Sequence, residues 1–272
     1  MKLNKKLVNV VGVGAFSLMA AGSLYAQESL RVGMECNYYP FNYKDSNGTL
    51  LGYDVDVAKG VTDILGADVT FVCQEWNGMI PALLANKFDL IVASMSITKS
   101  REKKIDFSTP YRISVGRLVG SKKVDIKLFD DNDQPIKDNF KKVRIGIERA
   151  SVYANYFKGT FPDAKVVMYD GNETGYLDLV NGRVDMIMTN PMKAYLKFLS
   201  KEDGAGFEFK SPVIDDAEYF GPGVGIGMRK GQPELKARVD AAIKKLITEG
   251  KLTEYALKIF PFPIHNEEWS KL

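Results

Sequence analysis

The chain has 272 residues and a mass of 30.3 kDa, and it is 45% hydrophobic and 26% charged. These fractions exclude a disordered, collagen-like or multi-span membrane chain, and the length allows one large domain or two small ones. The net charge of +3 resides entirely in Lys2, Lys5 and Lys6. The rest of the chain is neutral and lacks the basic excess that nucleic-acid binding requires.

Residues 1–6 are basic, and Leu7 to Leu24 are apolar and uncharged. Tyr25-Ala26-Gln27 and the polar Glu28-Ser29 follow. This order predicts a secretory signal peptide over 1–26 with cleavage after Ala26, hence a soluble, exported mature protein. An uncleaved anchor is the alternative, but Gly12, Gly14 and Gly22 make a poor spanning helix. The two cysteines, Cys36 and Cys73, suit an oxidising compartment. Each ends an apolar run that reads as a strand. If those strands are parallel neighbours the thiols lie close enough to pair; otherwise they are two buried free thiols.

Periodicity then predicts, in order, a strand over 30–35, a turn-rich stretch over 37–48 and a helix over 54–66. A β-branched strand over 68–73, a helix over 79–86 and an apolar strand over 88–93 come next. Thr98 is placed to cap a helix over 99–104. Residues 122–142 crowd lysines and aspartates around Pro135 and read as a solvated excursion outside the core. The pattern restarts with strands over 142–147, 164–168 and 184–189, and helices over 153–159 and 174–181. A strand over 224–228 and helices over 233–249 and 251–259 finish the chain. Alternating strands and helices predict an α/β protein with parallel sheets.

The stretch Leu83 to Ile91 matches Leu179 to Ile187 in type: a helix end, a basic turn, an Asp and an apolar strand. Two similar halves suggest two lobes facing a cleft, with ligands at the carboxyl ends of strands. Ser94, Ser96 and Arg101 lie where an apolar strand meets a helix start, a constellation suited to a small carboxylate. Plain helix capping with a surface Arg is the other reading. Ser151 opens a helix in the second half in the same way. Tyr38 and Trp76 follow strand ends and can wall a cleft, and Glu35 beside them can pair with a cation. Core packing and a solvated loop charge are the ordinary alternatives.

Several stretches together resemble the periplasmic solute-binding proteins that serve polar amino-acid ABC importers, the lysine/arginine/ornithine-, histidine- and octopine-binding type of family 3. They are Tyr38-Tyr39-Pro40-Phe41, Gly52 to Ala58, Trp76 to Leu83, Ser94 to Arg101, Ile105 to Tyr111 and Gly225 to Gly231. The similarity spans residues 29–260. It implies a two-lobed type II binding-protein fold with two hinge strands. Lobe one would comprise 27–118 and 223–272, and lobe two 119–222. It implies a monomer that captures an amino acid by lobe closure and docks on an inner-membrane permease complex, with no cofactor and no metal. By resemblance, Arg101 grips the ligand α-carboxylate with Ser96 and the helix start near Ser151, and Ser94 lies near the α-amino group. Tyr38 and Trp76 wall the side-chain pocket, and Glu35 reads its far end. Where this family usually carries an Asp to pair with the α-ammonium, this chain has Asn190. That departure sets an opine, with its substituted nitrogen, beside Arg, Lys, His and ornithine as candidate ligands. The charged loop at 125–133 is longer than in typical members. Some proteins of this fold are dehydratases. Here the single histidine, His265, lies near the C-terminus, and no His-Glu-x-x-His, Gly-x-Ser-x-Gly or metal-ligand cluster is present. Glycines 221, 223, 225 and 227 alternate as in a tightly packed hinge strand.

Overall fold

The structure is a computed structural model and describes residues 28–272. The signal peptide expected over 1–26 lies outside the described residues. Strand β1 (Ser29–Met34) is followed by three very short strands, β2 (Asn37–Tyr38), β3 (Asn42–Lys44) and β4 (Leu50–Leu51). These form a small antiparallel sheet where the sequence shows only turns, because two or three residues are too few to display a period of two. Helix α1 (Tyr53–Leu65) ends at Gly66, whose φ of 69° is the left-handed conformation that glycine adopts freely. Next come β5 (Asp68–Cys73), α2 (Met79–Leu84), β6 (Leu90–Ile91), α3 (Lys99–Glu102) and β7 (Asp106–Phe107).

The second half contains β8 (Arg117–Ser121), α4 (Lys137–Phe140), β9 (Arg144–Glu148), α5 (Val152–Thr160), β10 (Lys165–Tyr169) and α6 (Asn172–Val180). It continues with β11 (Met186–Thr189), α7 (Pro191–Ala194), β12 (Phe207–Phe209) and α8 (Ala217–Phe220). The chain then returns to the first half through β13 (Gly227–Met228), α9 (Pro233–Thr248) and α10 (Lys251–Leu257).

Two five-stranded sheets result, ordered β5-β1-β6-β13-β7 and β10-β9-β11-β8-β12. The orders are equivalent, and each sheet is the centre of one lobe. The chain passes between the sheets twice, after β7 and after β12. The two passages pair with each other at Gly116 and Ile214, through backbone bonds of 2.8 and 2.9 Å. The returning passage approaches its neighbours very closely. A Cβ on Gly221 would lie 1.7 Å from the Ile97 carbonyl oxygen, and one on Gly223 2.9 Å from that of Arg112. Only glycine fits there.

The matching stretches noticed in the sequence share one device. Asp89 opens β6 and accepts from the Arg31 backbone N–H at 3.0 Å, and from its Nε and Nη2 at 3.1 and 2.9 Å. Asp185, before β11, does the same for Arg144 at 2.6, 3.1 and 2.7 Å. Each carboxylate thus fixes the register of a lobe's central strands. Cys36 and Cys73 follow and end the paired strands β1 and β5, where Met34 faces Cys73 in register, and they are joined by a disulfide with a Cα–Cα distance of 5.5 Å.

Four expectations change. Residues 122–142 are not all solvated: Leu128, Phe129 and Phe140 are buried in the core of lobe two, with Phe140 stacked on Phe161 at 3.9 Å. The surrounding lysines and aspartates mask these anchors in the sequence. The run 88–93 pairs as a strand only at Leu90–Ile91. Phe88 instead turns under β1, where a Cβ on Gly33 would lie 2.6 Å from its ring. The helix at Thr98 is a single turn, ended by the Ile105 N–H bonding the Arg101 carbonyl. The expected strand over 224–228 reduces to β13, while Val224 bridges singly to Ser96 and Arg112.

Candidate functional site

A narrow cavity, partly open to solvent, lies between the lobes. Lobe one lines it with Glu35, Tyr38, Trp76, Ser94, Ser96 and Arg101, and lobe two with Ser151 and Asn190. The structure therefore brings together all eight residues singled out from the sequence.

Backbone geometry at strand ends aims them. Ser94 and Ala150 take φ values of 53° and 54°, and Cys36, next to Glu35, takes 62°. Left-handed conformations at non-glycine residues cost about 1–3 kcal/mol each and concentrate at functional sites. Here each turns the chain sharply as it leaves a strand.

Arg101 is 7% exposed. Its Nη1 donates to the Ser96 carbonyl at 2.9 Å, and its Nη2 reaches across the cleft to the Ala150 carbonyl at 3.1 Å. Its guanidinium lies 5.2 Å from the centre of the Trp76 ring. Among the described residues no carboxylate forms an ion pair with it, and burial pushes its pKa down to about 10. A buried cation with only carbonyl partners favours an anionic guest. Facing it, Ser151 caps α5, accepting from the Ala154 N–H at 3.2 Å and donating to the Glu148 carbonyl at 2.6 Å. The first turn of this nine-residue helix leaves backbone N–H groups and a partial positive charge directed at the cleft. Ser96 Oγ and Ser114 Oγ are 2.8 Å apart on the same wall. The Trp76 indole N–H is buried with no hydrogen-bond partner among the described residues.

A different chemistry occupies another part of the cavity. Burial and the nearby Glu148 carboxylate push the Glu35 carboxyl well above its ordinary pKa, with partial relief from Lys193. Lys193, at 2% exposure, sets its Nζ 4.3 Å above the Tyr38 ring. Burial lowers its pKa, and Glu148 and Glu35 oppose the shift. Beneath the cavity floor is Asp54, which accepts from Ser94 Oγ at 2.8 Å, Asn42 Nδ2 at 2.7 Å and Tyr111 OH at 2.8 Å.

Sequence reasoning missed three charged groups. Arg112 and Glu148 line the cavity, and Lys193 stands behind it. Glu148 carried a usable signal: Leu30-Arg31-Val32-Gly33-Met34-Glu35 is matched by Val143-Arg144-Ile145-Gly146-Ile147-Glu148. The two glutamates thus occupy equivalent places in the two lobes. Arg112 follows Tyr111 with no local pattern to mark it; its burial comes from packing on Phe41, 4.4 Å from guanidinium carbon to ring centre. Among the described residues no group of His, Cys, Asp and Glu is arranged to hold a metal ion.

The family model of bacterial extracellular solute-binding proteins, family 3, matches residues 30–262. The L-arginine-binding protein of Pseudomonas aeruginosa is 34% identical over 264 residues, covering 96% of this chain and 99% of that protein. The lysine/arginine/ornithine-binding periplasmic protein of Escherichia coli K12 is 32% identical over 254 residues, covering 92% and 95%. Among solved structures, an ancestral arginine-binding protein bound to glutamine superposes with a TM-score of 0.76 at 30% identity. It covers 87% of this chain and 99% of that one.

Proposed function

This chain belongs to family 3 of the bacterial extracellular solute-binding proteins, and from that premise we infer that it is the substrate-binding subunit of an ABC importer for a cationic amino acid such as arginine, lysine, ornithine or histidine. The observation that carries the reading is Arg101, buried and without a carboxylate partner among the described residues. An amino-acid α-carboxylate supplies that partner, and the N–H groups opening α5 add to it from the other lobe. Glu35 and Glu148 then offer negative charge to a basic side chain, with Tyr38 and Trp76 as walls.

Capture proceeds by closure. The ligand settles on lobe one through Arg101, Ser96 and the aromatics. Lobe two, about 119–222, then swings in with Ser151 and Asn190 against lobe one, 27–118 with 223–272. Contacts to both lobes supply the differential affinity that favours the closed form. The chain is exported by the segment 1–26, works as a periplasmic monomer and delivers its ligand to a membrane permease complex. Its relatives are named as binding proteins, and the role inferred here is binding without chemistry.

Thermal melting against arginine, lysine, ornithine, histidine, glutamine, glutamate and prephenate tests this. A ligand at 100 times its Kd adds about 2.7 kcal/mol of stability. A clear rise in Tm with the cationic amino acids is expected. A rise with glutamate or prephenate alone would overturn the ligand class.

A further inference from the structure

A second hollow lies behind the hinge, on the face away from the cleft. The first passage between the lobes shows this by its alternation. Arg112 and Ser114 line the cleft, Ile113 between them lines the hollow, and Val115 borders both. The segment after β11 divides in the same way, with a helical period. Asn190 lines the cleft and Lys193, three residues on, lies over Tyr38, while Met192, Tyr195 and Leu196 turn to the hollow. Lobe one supplies the facing wall with Phe260, Pro261 and Phe262, just after α10.

The walls of this hollow are apolar and stand apart. Ile113, Tyr195, Val213 and Phe262 are between 37% and 56% exposed there, and a soluble protein rarely gathers exposed apolar side chains in one place without a partner for them. The walls belong to different lobes, and they already touch at one end: Met192 and Leu196 of lobe two pack against the core of lobe one. On the cleft side the lobes are together, with Arg101 reaching the Ala150 carbonyl and Lys193 the Tyr38 ring. Between cleft and hollow run the two passages, paired at Gly116 and Ile214. A rotation about that pair that widens the cleft narrows the hollow and carries Tyr195 toward Phe262. The contact begun by Met192 and Leu196 then extends over side chains that here face water.

We propose that this hollow is a counterweight to lobe closure: its two walls meet when the cleft opens, and the apolar area they bury holds the unladen molecule open. This rests on the closure inferred above and goes beyond it by naming the contact that closure must undo. Ligand contacts in the cleft replace wall contacts behind the hinge. The apparent affinity is therefore the affinity of the closed form reduced by the fraction of molecules closed without ligand. Side chains that never touch the ligand thereby set how tightly it is held.

Small-angle X-ray scattering of the ligand-free mature protein and calorimetric titration with arginine test the proposal. The wild type is expected to contract when arginine binds. Tyr195→Ser combined with Phe262→Ser removes apolar area from both walls, and Val213→Trp wedges bulk between them. All three side chains are about half exposed, so the fold does not depend on them. Both variants are expected to be more compact than the wild type without ligand and to bind arginine about tenfold more tightly, because each disfavours the open form. A smaller polar residue and a larger apolar one act in the same direction only if the walls meet on opening. An unchanged or larger radius in either variant, arginine affinity that is unchanged or weaker, or a wild type that binds arginine without contracting overturns the counterweight. If the wild type binds none of arginine, lysine, ornithine and histidine while both variants are still more compact, the ligand class inferred above falls and the counterweight stands.

Discussion

The two lobes share a frame and differ in how they are braced. Both run their strands in the same order, and both lock the central pair with an Arg–Asp clamp. Lobe one gathers its apolar residues into one continuous core, and a disulfide ties the ends of β1 and β5. In lobe two the apolar residues form two clusters on opposite faces of the sheet. Leu118 and Met186 point to one, and their neighbours Val119 and Ile187 to the other. The difference follows the charges. Lobe one buries Asp54, Arg101 and Arg112 beside the cleft, groups that stay in place only if the surrounding frame holds them. Lobe two brings Glu148 and Lys193, but otherwise meets the cleft with a helix start and neutral caps. The bracing is heaviest where buried charge must be kept oriented.

That contrast can be broken most severely at Arg101. Replacing it with Ala is expected to weaken ligand binding on the order of a thousandfold, as truncation of a buried charge partner does. The equivalent insult in lobe two, Ser151→Ala, removes a cap and one hydroxyl and is expected to weaken binding only about tenfold. Calorimetric titration of both variants checks the pair; equal losses would refute a leading role for lobe one. Next in size is the disulfide. Closing a loop of sequence separation 37, it is expected to contribute about 3–4 kcal/mol. Differential scanning calorimetry of the Cys36→Ala/Cys73→Ala protein should show that loss, with lobe one melting earlier.

The clamps rank below this. Asp89 bonds Arg229 at 3.1 Å as well as Arg31, whereas among the described residues Asp185 has Arg144 alone as its arginine partner. Asp89→Asn is expected to destabilise by about 2 kcal/mol and Asp185→Asn by about 1 kcal/mol, the pairs being partly exposed. Burial raises the pKa of Asp89, but the bonds from Arg31 and Arg229 outweigh it and hold the carboxyl below its ordinary value. The Arg144 bonds do the same for Asp185. Both contributions are therefore complete above the unfolded pKa of Asp and vanish as pH falls through the lowered folded values. Urea melts at neutral and acid pH read them directly. The smallest effect concerns Glu35: burial and the nearby Glu148 hold its carboxyl well above its ordinary pKa. A cationic side chain stabilises the ionised form, so affinity should rise with pH through that raised value and then level off. Titration in buffers of different ionisation heat should show proton release on binding that disappears in Glu35→Gln.

Most of the frame was legible because strands such as Asp68–Cys73 and helices such as 233–248 are long enough to show their periods. The site residues were legible because they sit at strand ends and helix caps within recognisable stretches. What escaped detection depends on contacts remote in sequence. Arg112 is buried by Phe41, Lys193 is held over Tyr38 from the other lobe, and Phe129 and Phe140 lie among lysines and aspartates that suggest a surface. Strand β8 has no polar alternation, because both faces of the sheet are covered there, and β12, Phe207–Phe209, alternates but is too short to display a period.

The bond from Arg101 to the Ala150 carbonyl joins the lobes through the protein's own atoms. The nitrogen proposed to receive a guest carboxylate is thus also a clasp between the lobes, and a guest must compete with a bond already made. How firmly that clasp holds is subtracted from whatever affinity a guest gains there.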